Sequence, residues 1–152
     1  MKHWFVASLC LLLAAAGSCA TDDQLKGFER STLEVQSASG RQWFKIYLAS
    51  TDAQQMRGLM FVRNLPTDTG MLFPLPVPRL MTMWMKNTLI SLDMLFIDEK
   101  GEIVCLRERT EPQSLKLLSC GVPVKAVLEI GAGQTAAKGI KLGDTVVHRS
   151  LN

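Results

Sequence analysis

Between residues 42 and 49 the chain alternates. Phe44, Ile46 and Leu48 fall on one side of an extended backbone, and Trp43, Lys45 and Tyr47 fall on the other, which is the period of a half-buried strand. The pattern then changes. Thr51-Asp52-Ala53-Gln54 has the form of a capping box with an acid in the first turn, and Ala53, Met56, Leu59 and Met60 form one apolar stripe at helical spacing. Gly58 within that stripe costs about 1 kcal/mol relative to alanine, so the predicted helix is short. Asn64-Leu65-Pro66 and Thr67-Asp68-Thr69-Gly70 are turn material. A strand begins at residues 70–73, and Pro74, Pro76 and Pro78 then predict an extended connection outside any central ladder, because proline has no N–H to give. Further strands are expected over residues 80–85, 92–97, 103–106, 124–130 and 145–148. Asp98 to Gly101 supplies a hairpin turn with glycine where φ must be positive, Gly131-Ala132-Gly133 breaks the strand before it, and residues 134–138 allow a helical turn or two. Seven or eight short strands with one or two short helices predict a single-domain, mainly β fold, a sandwich or a barrel.

The first residues belong to a different class. Met1-Lys2-His3 is a basic start, Trp4 to Ala16 is apolar or small throughout, and Gly17-Ser18-Cys19-Ala20 follows. That is the layout of an export signal over residues 1–20, too short to span a bilayer. Ser18-Cys19-Ala20 reads as a small-x-small cleavage site. Ala15 to Cys19 also resembles a lipobox, which makes Cys19 a lipidation candidate. The expected location is therefore exported, periplasmic or lipid-anchored to the envelope. Residues 21–31 are polar and read as a flexible lead-in, and residues 32–152 as the domain. Without the signal, two cysteines remain, Cys105 and Cys120, an even pair in a compartment that permits a disulfide. Loss of Lys2 takes the formal net charge from +3 to +2, too balanced to predict a nucleic-acid partner or an acidic surface as partner. Membrane association is expected only through an N-terminal lipid.

Chemistry is sparse. His148 is the one histidine after residue 20, so histidine-rich zinc sites and Ser-His-Asp arrangements are not expected. A metal site of Cys105, Cys120 and His148 can be written down, but a disulfide is the simpler use of that pair. No Gly-rich phosphate loop is present, and no cofactor is expected. The run MTMWMKNTLISLDMLFID, residues 81–98, is the most informative. Alternation puts Met81, Met83 and Met85 on one face, a soft-metal surface suited to Cu(I) or, more ordinarily, core packing. The other face offers Trp84 beside Lys86, followed by Asn87 and Thr88, a wall suited to a sugar or another polar ligand. Asp93 and Glu129 are carboxyl groups set in apolar runs. Each must find a partner or a reason to be buried, Asp93 through backbone N–H groups or through Arg57, Arg63 or Lys86.

The segments MRGLMFVRNLPTDTGMLF (56–73), MWMKNTLISLDMLFID (83–98), AVLEIGAG (126–133) and GIKLGD (139–144) resemble the domain of unknown function 192 family, in the family's order and over residues 49–147. Two positions depart from its pattern. Ser91 stands where the family usually has proline before Leu92-Asp93, and Met56 stands where an acid commonly precedes the motif arginine. The resemblance implies a compact, mainly β domain and brings no reaction. It groups Arg57, Arg63, Lys86, Asn87, Asp93 and Glu129 as polar motif residues, and with Trp84 and Thr88 these form the expected ligand site. Three functions fit these residues: an exported binding module for a small polar, anionic or sugar-like ligand; an envelope carbohydrate hydrolase with Asp93 and Glu129 as acid and base; and a structural or interaction domain.

Overall fold

The computed structural model describes residues 24–151. Seven strands, β1 (Glu29–Ser37), β2 (Gly40–Leu48), β3 (Thr69–Met83), β4 (Leu92–Ile97), β5 (Ile103–Arg107), β6 (Leu118–Gly131) and β7 (Thr145–Val147), form one sheet in the order β5-β4-β6-β3-β2-β1-β7. All pairings are antiparallel except β2 with β3. Two short helices, α1 (Asp52–Arg57) and α2 (Gln134–Ala137), and a 3-10 turn at Arg149–Leu151 complete the described chain. This is the mainly β single domain that the alternation predicts.

The sheet curls until its edges meet at one end. Ile103 N–H bonds the Asp144 carbonyl (2.9 Å), Gly143 N–H the Ile103 carbonyl (3.0 Å), and Val146 N–H the Gly101 carbonyl (2.7 Å). A Cβ at Gly101 would lie 2.6 Å from that Val146 carbonyl, so the closure requires glycine there as well as the turn, where its φ is 83°. The result is a half-barrel with two cores. The inner core takes side chains from every strand, among them Val35, Phe44, Leu72, Leu95, Ile103, Leu128 and Val146. The outer core packs Met71, Phe73, Met94, Phe96 and Val127 beneath Leu25, Phe28, Leu59, Val62 and Met85. All seven strands and both cores thus lie within residues 24–151.

Several local expectations change. Residues 21–31 do not form a flexible lead-in over their described part: Leu25 and Phe28 are buried in the outer core and β1 begins at Glu29. Two isolated apolar residues in a polar segment leave no periodicity to read, and β1 itself, with Leu33 and Val35 inward, was not expected. The proline segment belongs to β3 after all. Its β2 neighbour ends at Leu72, and the β3–β6 register shifts between Pro74 and Arg79, so the prolines occupy a free edge and a bulge, the positions a sheet allows them. The strand expected over 80–85 stops at Met83. The Met face is core, with Met83 and Met85 buried and Met81 packed against them.

The capping box forms as predicted, Thr51 Oγ1 accepting from Gln54 N–H and Gln54 Oε1 from Thr51 N–H. Cys105 and Cys120 are bonded, with Cα atoms 6.0 Å apart and a sequence separation of 15. They tie edge strand β5 to the outer arm of β6. A loop of this length is worth about 3 kcal/mol in the chain-entropy model. Urea unfolding with and without dithiothreitol, or with Cys105→Ser/Cys120→Ser, should show a loss of that size; equal midpoints would contradict it.

Candidate functional site

The expected site divides into three places. Trp84 to Thr88 leaves β3 and makes a turn. Thr88 N–H bonds the Met85 carbonyl (3.0 Å), so Lys86 and Asn87 are the central pair, and Asn87 has φ 55°, the left-handed third position that favours glycine or asparagine in a type II turn. Backbone chemistry therefore accounts for Asn87. Thr88 is buried, its hydroxyl donating to the Lys86 carbonyl (3.3 Å). The Lys86 ammonium lies 5.0 Å from the Trp84 ring centre, as the shared face predicts. Arg57 ends α1, donates to the Gln24 carbonyl and lies 5.7 Å from the Phe28 ring; Arg63 is exposed on the following loop.

Asp93 is elsewhere, fully buried on the inner face where β4 opposes Ile130. Its partners are not Arg57, Arg63 or Lys86. Oδ1 accepts from Arg109 N–H (2.9 Å), and Oδ2 accepts from Thr135 N–H (3.1 Å) and the Thr135 hydroxyl (2.7 Å). The same hydroxyl is 2.6 Å from Glu108 Oε1; with one proton it serves one carboxyl at a time. Asp93 thus ties β4 to α2 and to the chain leaving β5.

Glu129 faces the other way. It stands between Met71 and Met94 on the outer face, in a row that runs from Arg30 and Tyr47 across to Arg107. It is 4 % exposed, and burial alone pushes its carboxyl up to about 8. Asp93 and Glu129 occupy adjacent rows of the β4–β6 ladder and so point to opposite faces. They do not flank one cleft, which overturns the acid/base pair of the hydrolase reading, since glycoside hydrolysis needs two carboxyls on either side of one bond.

The metal set of Cys105, Cys120 and His148 is not formed either. The cysteines are bonded to each other. His148 is buried against β1, with Nδ1 accepting from Ser150 N–H (3.1 Å) and Nε2 3.0 Å from the Ser31 hydroxyl, so Nε2 carries the proton of the neutral ring. Burial first, then the charge of Arg149, holds its pKa below the usual value. Among the described residues no three His, Cys, Asp or Glu side chains gather as a metal site would require.

The concave site lies on residues that were not singled out. An open groove of about 700 Å³ runs over β1, β2 and the loop entering β3, lined by Arg30, Thr32, Lys45, Tyr47, Asp68 and Thr69 among others. Register explains the grouping. Thr32 opposes Lys45, Lys45 opposes Thr69, and Arg30 opposes Tyr47, with the Arg30 guanidinium 5.5 Å from the Tyr47 ring. Asp68 is ion-paired with Lys138, and its N–H bonds Gln134 Oε1 (3.0 Å). Arg30 and Lys45 are the cations of this lining. A second, smaller groove is lined by Met85, Arg107, Glu108, Glu111 and Lys116 among others. Neither is lined by Arg57, Arg63, Trp84, Lys86, Asn87 or Thr88. The alternation of residues 42–49 puts Trp43, Lys45 and Tyr47 on one face; β1, which it does not predict, pairs beside β2 and adds Arg30 and Thr32.

No curated protein is similar to this chain. Among solved structures it is similar to a protein of unknown function from Novosphingobium aromaticivorans (36% identity, TM-score 0.79, covering 81% of this chain and 88% of that one). It is also similar to a "putative transcription regulator" from Sinorhizobium meliloti (35% identity, TM-score 0.78, covering 81% and 96%). The family model DUF192, described as uncharacterized ACR, matches residues 33–148. With that span running from β1 to the end of β7, the chain belongs to the DUF192 family.

Proposed function

We propose that this domain is an exported binding module for a small anionic ligand, a charged sugar of the cell envelope being the class that fits best. The observation that carries the reading is the groove over β1 and β2, where the exposed Arg30, Lys45 and Thr32 lie side by side above the buried Tyr47 and Thr69. Cations select the charge and hydroxyls hydrogen-bond the ligand, while Tyr47, buried in the outer core beneath the Arg30 guanidinium, supports the floor. The Cys105–Cys120 bond supports the exported location, since such bonds persist in oxidising compartments. The signal over residues 1–20 and lipidation at Cys19 lie outside the described residues, and both remain part of the proposal.

Calorimetric titration against phosphate, sulfate, glucuronate and hexose phosphates tests it. At least one sugar anion should bind, more weakly at high salt. Lys45→Ala should weaken it tenfold or more, about 1.4 kcal/mol, with little change in Tm because Lys45 is exposed. If no anion binds, or Lys45→Ala binds as well as wild type, the reading fails.

A further inference from the structure

A second surface is left unused by the groove. Residues 56–63, MRGLMFVR, and 84–91, WMKNTLIS, lie against each other: Phe61 N–H bonds the Asn87 carbonyl (2.9 Å), and Asn87 Nδ2 reaches Met60 Sδ (3.8 Å). Phe61 has φ 65°. For asparagine in a turn that conformation is ordinary; for phenylalanine it is strained. The strain gives no burial in return, since the Phe61 side chain is 57 % exposed. Met56, on α1, is 63 % exposed, and Trp84 lies half-buried beside the Lys86 ammonium. Within these two segments charge is one-sided, while Asp52 is exposed on α1 one turn before Met56. Arg57, Arg63 and Lys86 are exposed, and neither segment contains Asp or Glu. The chain also enters the domain at this face: Arg57 holds the Gln24 carbonyl, and Gln24 follows Cys19 by five residues.

We infer that this face docks on an anionic bilayer, with Phe61, Met56 and Trp84 at headgroup depth and Arg57, Arg63 and Lys86 against lipid phosphates. Aromatic and apolar side chains set among cations are the combination that interfacial binding uses. An acidic protein would need the cations and would leave a strained, exposed phenylalanine unexplained. The near-neutral net charge does not oppose this, because the field that matters is that of the patch within a Debye length.

The test uses residues 21–152, which retain every strand and both cores of the described residues. The protein should sediment with phosphatidylglycerol vesicles, hardly at all with phosphatidylcholine, and be released by salt. Phe61→Gly removes the ring and relieves the positive φ, so it keeps the fold, and it should bind vesicles at least tenfold more weakly. Arg63→Ser/Lys86→Ser should do the same. In a Trp43→Phe background Trp84 is the remaining tryptophan of residues 21–152, and brominated lipid should quench it. Absence of sedimentation with phosphatidylglycerol, undiminished sedimentation of Phe61→Gly, or an unquenched Trp84 would each overturn the inference. Lys45→Ala should leave vesicle binding unchanged, which separates this face from the groove.

Discussion

Raising the pH from 4.5 to 8 is expected to lower the unfolding free energy by roughly 4–5 kcal/mol through one residue, Glu129. Its carboxyl has an ordinary value of 4.5 when exposed and about 8 when folded, and burial is the single cause. Below 4.5 both states hold the proton, so no penalty exists. Between 4.5 and 8 the unfolded chain releases the proton while the folded chain keeps it, so stability falls by about 1.4 kcal/mol per pH unit. Above 8 both states are ionised and the full penalty persists. The groups in its row are Met71 and Met94 beside it, then Tyr47 and Arg107, then Arg30; Met94 separates it from Arg107, and Met71 and Tyr47 separate it from Arg30. His148 acts in the opposite sense. Its lowered folded pKa makes stability rise with pH up to about 6.5, so the measured slope is partly offset there. Urea unfolding of wild type and Glu129→Gln from pH 5 to 9 isolates the effect. The variant should match wild type near pH 5 and exceed it increasingly towards pH 9. Parallel curves would mean that Glu129 is ionised in the fold and has a partner.

What the sequence disclosed follows from which interactions are local. The capping box at Thr51 and the Asp98–Gly101 turn depend on neighbours within four residues, and both form as their residues require. The Cys105–Cys120 pair was legible by counting. Long-range pairing was not. The strain at Phe61 and the partners of Asp93 depend on segments that meet only in the fold. Lys86-Asn87-Thr88 looked functional because exposed polar residues seldom specify a core, yet a left-handed turn position explains Asn87 and burial explains Thr88. The groove needed β1, whose weak alternation sits beside a polar segment. Its Lys45 and Tyr47 face was read, but half a wall does not announce a site. Opposite orientation of Asp93 and Glu129 follows from the Met94–Glu129 register, and a slip of one residue would have reversed it.

Asp93→Ala should cost about 3–5 kcal/mol, enough to leave a domain of this size marginal. The size comes from what is left behind. Arg109 N–H, Thr135 N–H and the Thr135 hydroxyl all lose their acceptor, and because Asp93 is fully buried bulk solvent does not reach them. Asp93→Asn should cost less, about 2 kcal/mol, because one oxygen still accepts while the amide confronts an N–H on the other side. Thr135→Val should be milder again, since the Thr135 N–H to Asp93 bond survives. Combining Thr135→Val with Asp93→Ala should then cost less than the sum, the mark of a shared contact. Amide exchange at Arg109 and Thr135 should accelerate in Asp93→Ala before global unfolding does, because β4 would lose its tie to α2 locally. Were Asp93 instead a residue of chemistry, its removal would leave stability within about 1 kcal/mol of wild type and exchange at both amides unchanged. Equilibrium unfolding of these variants separates the two, and the three hydrogen bonds to Asp93, two of them buried, favour the structural outcome.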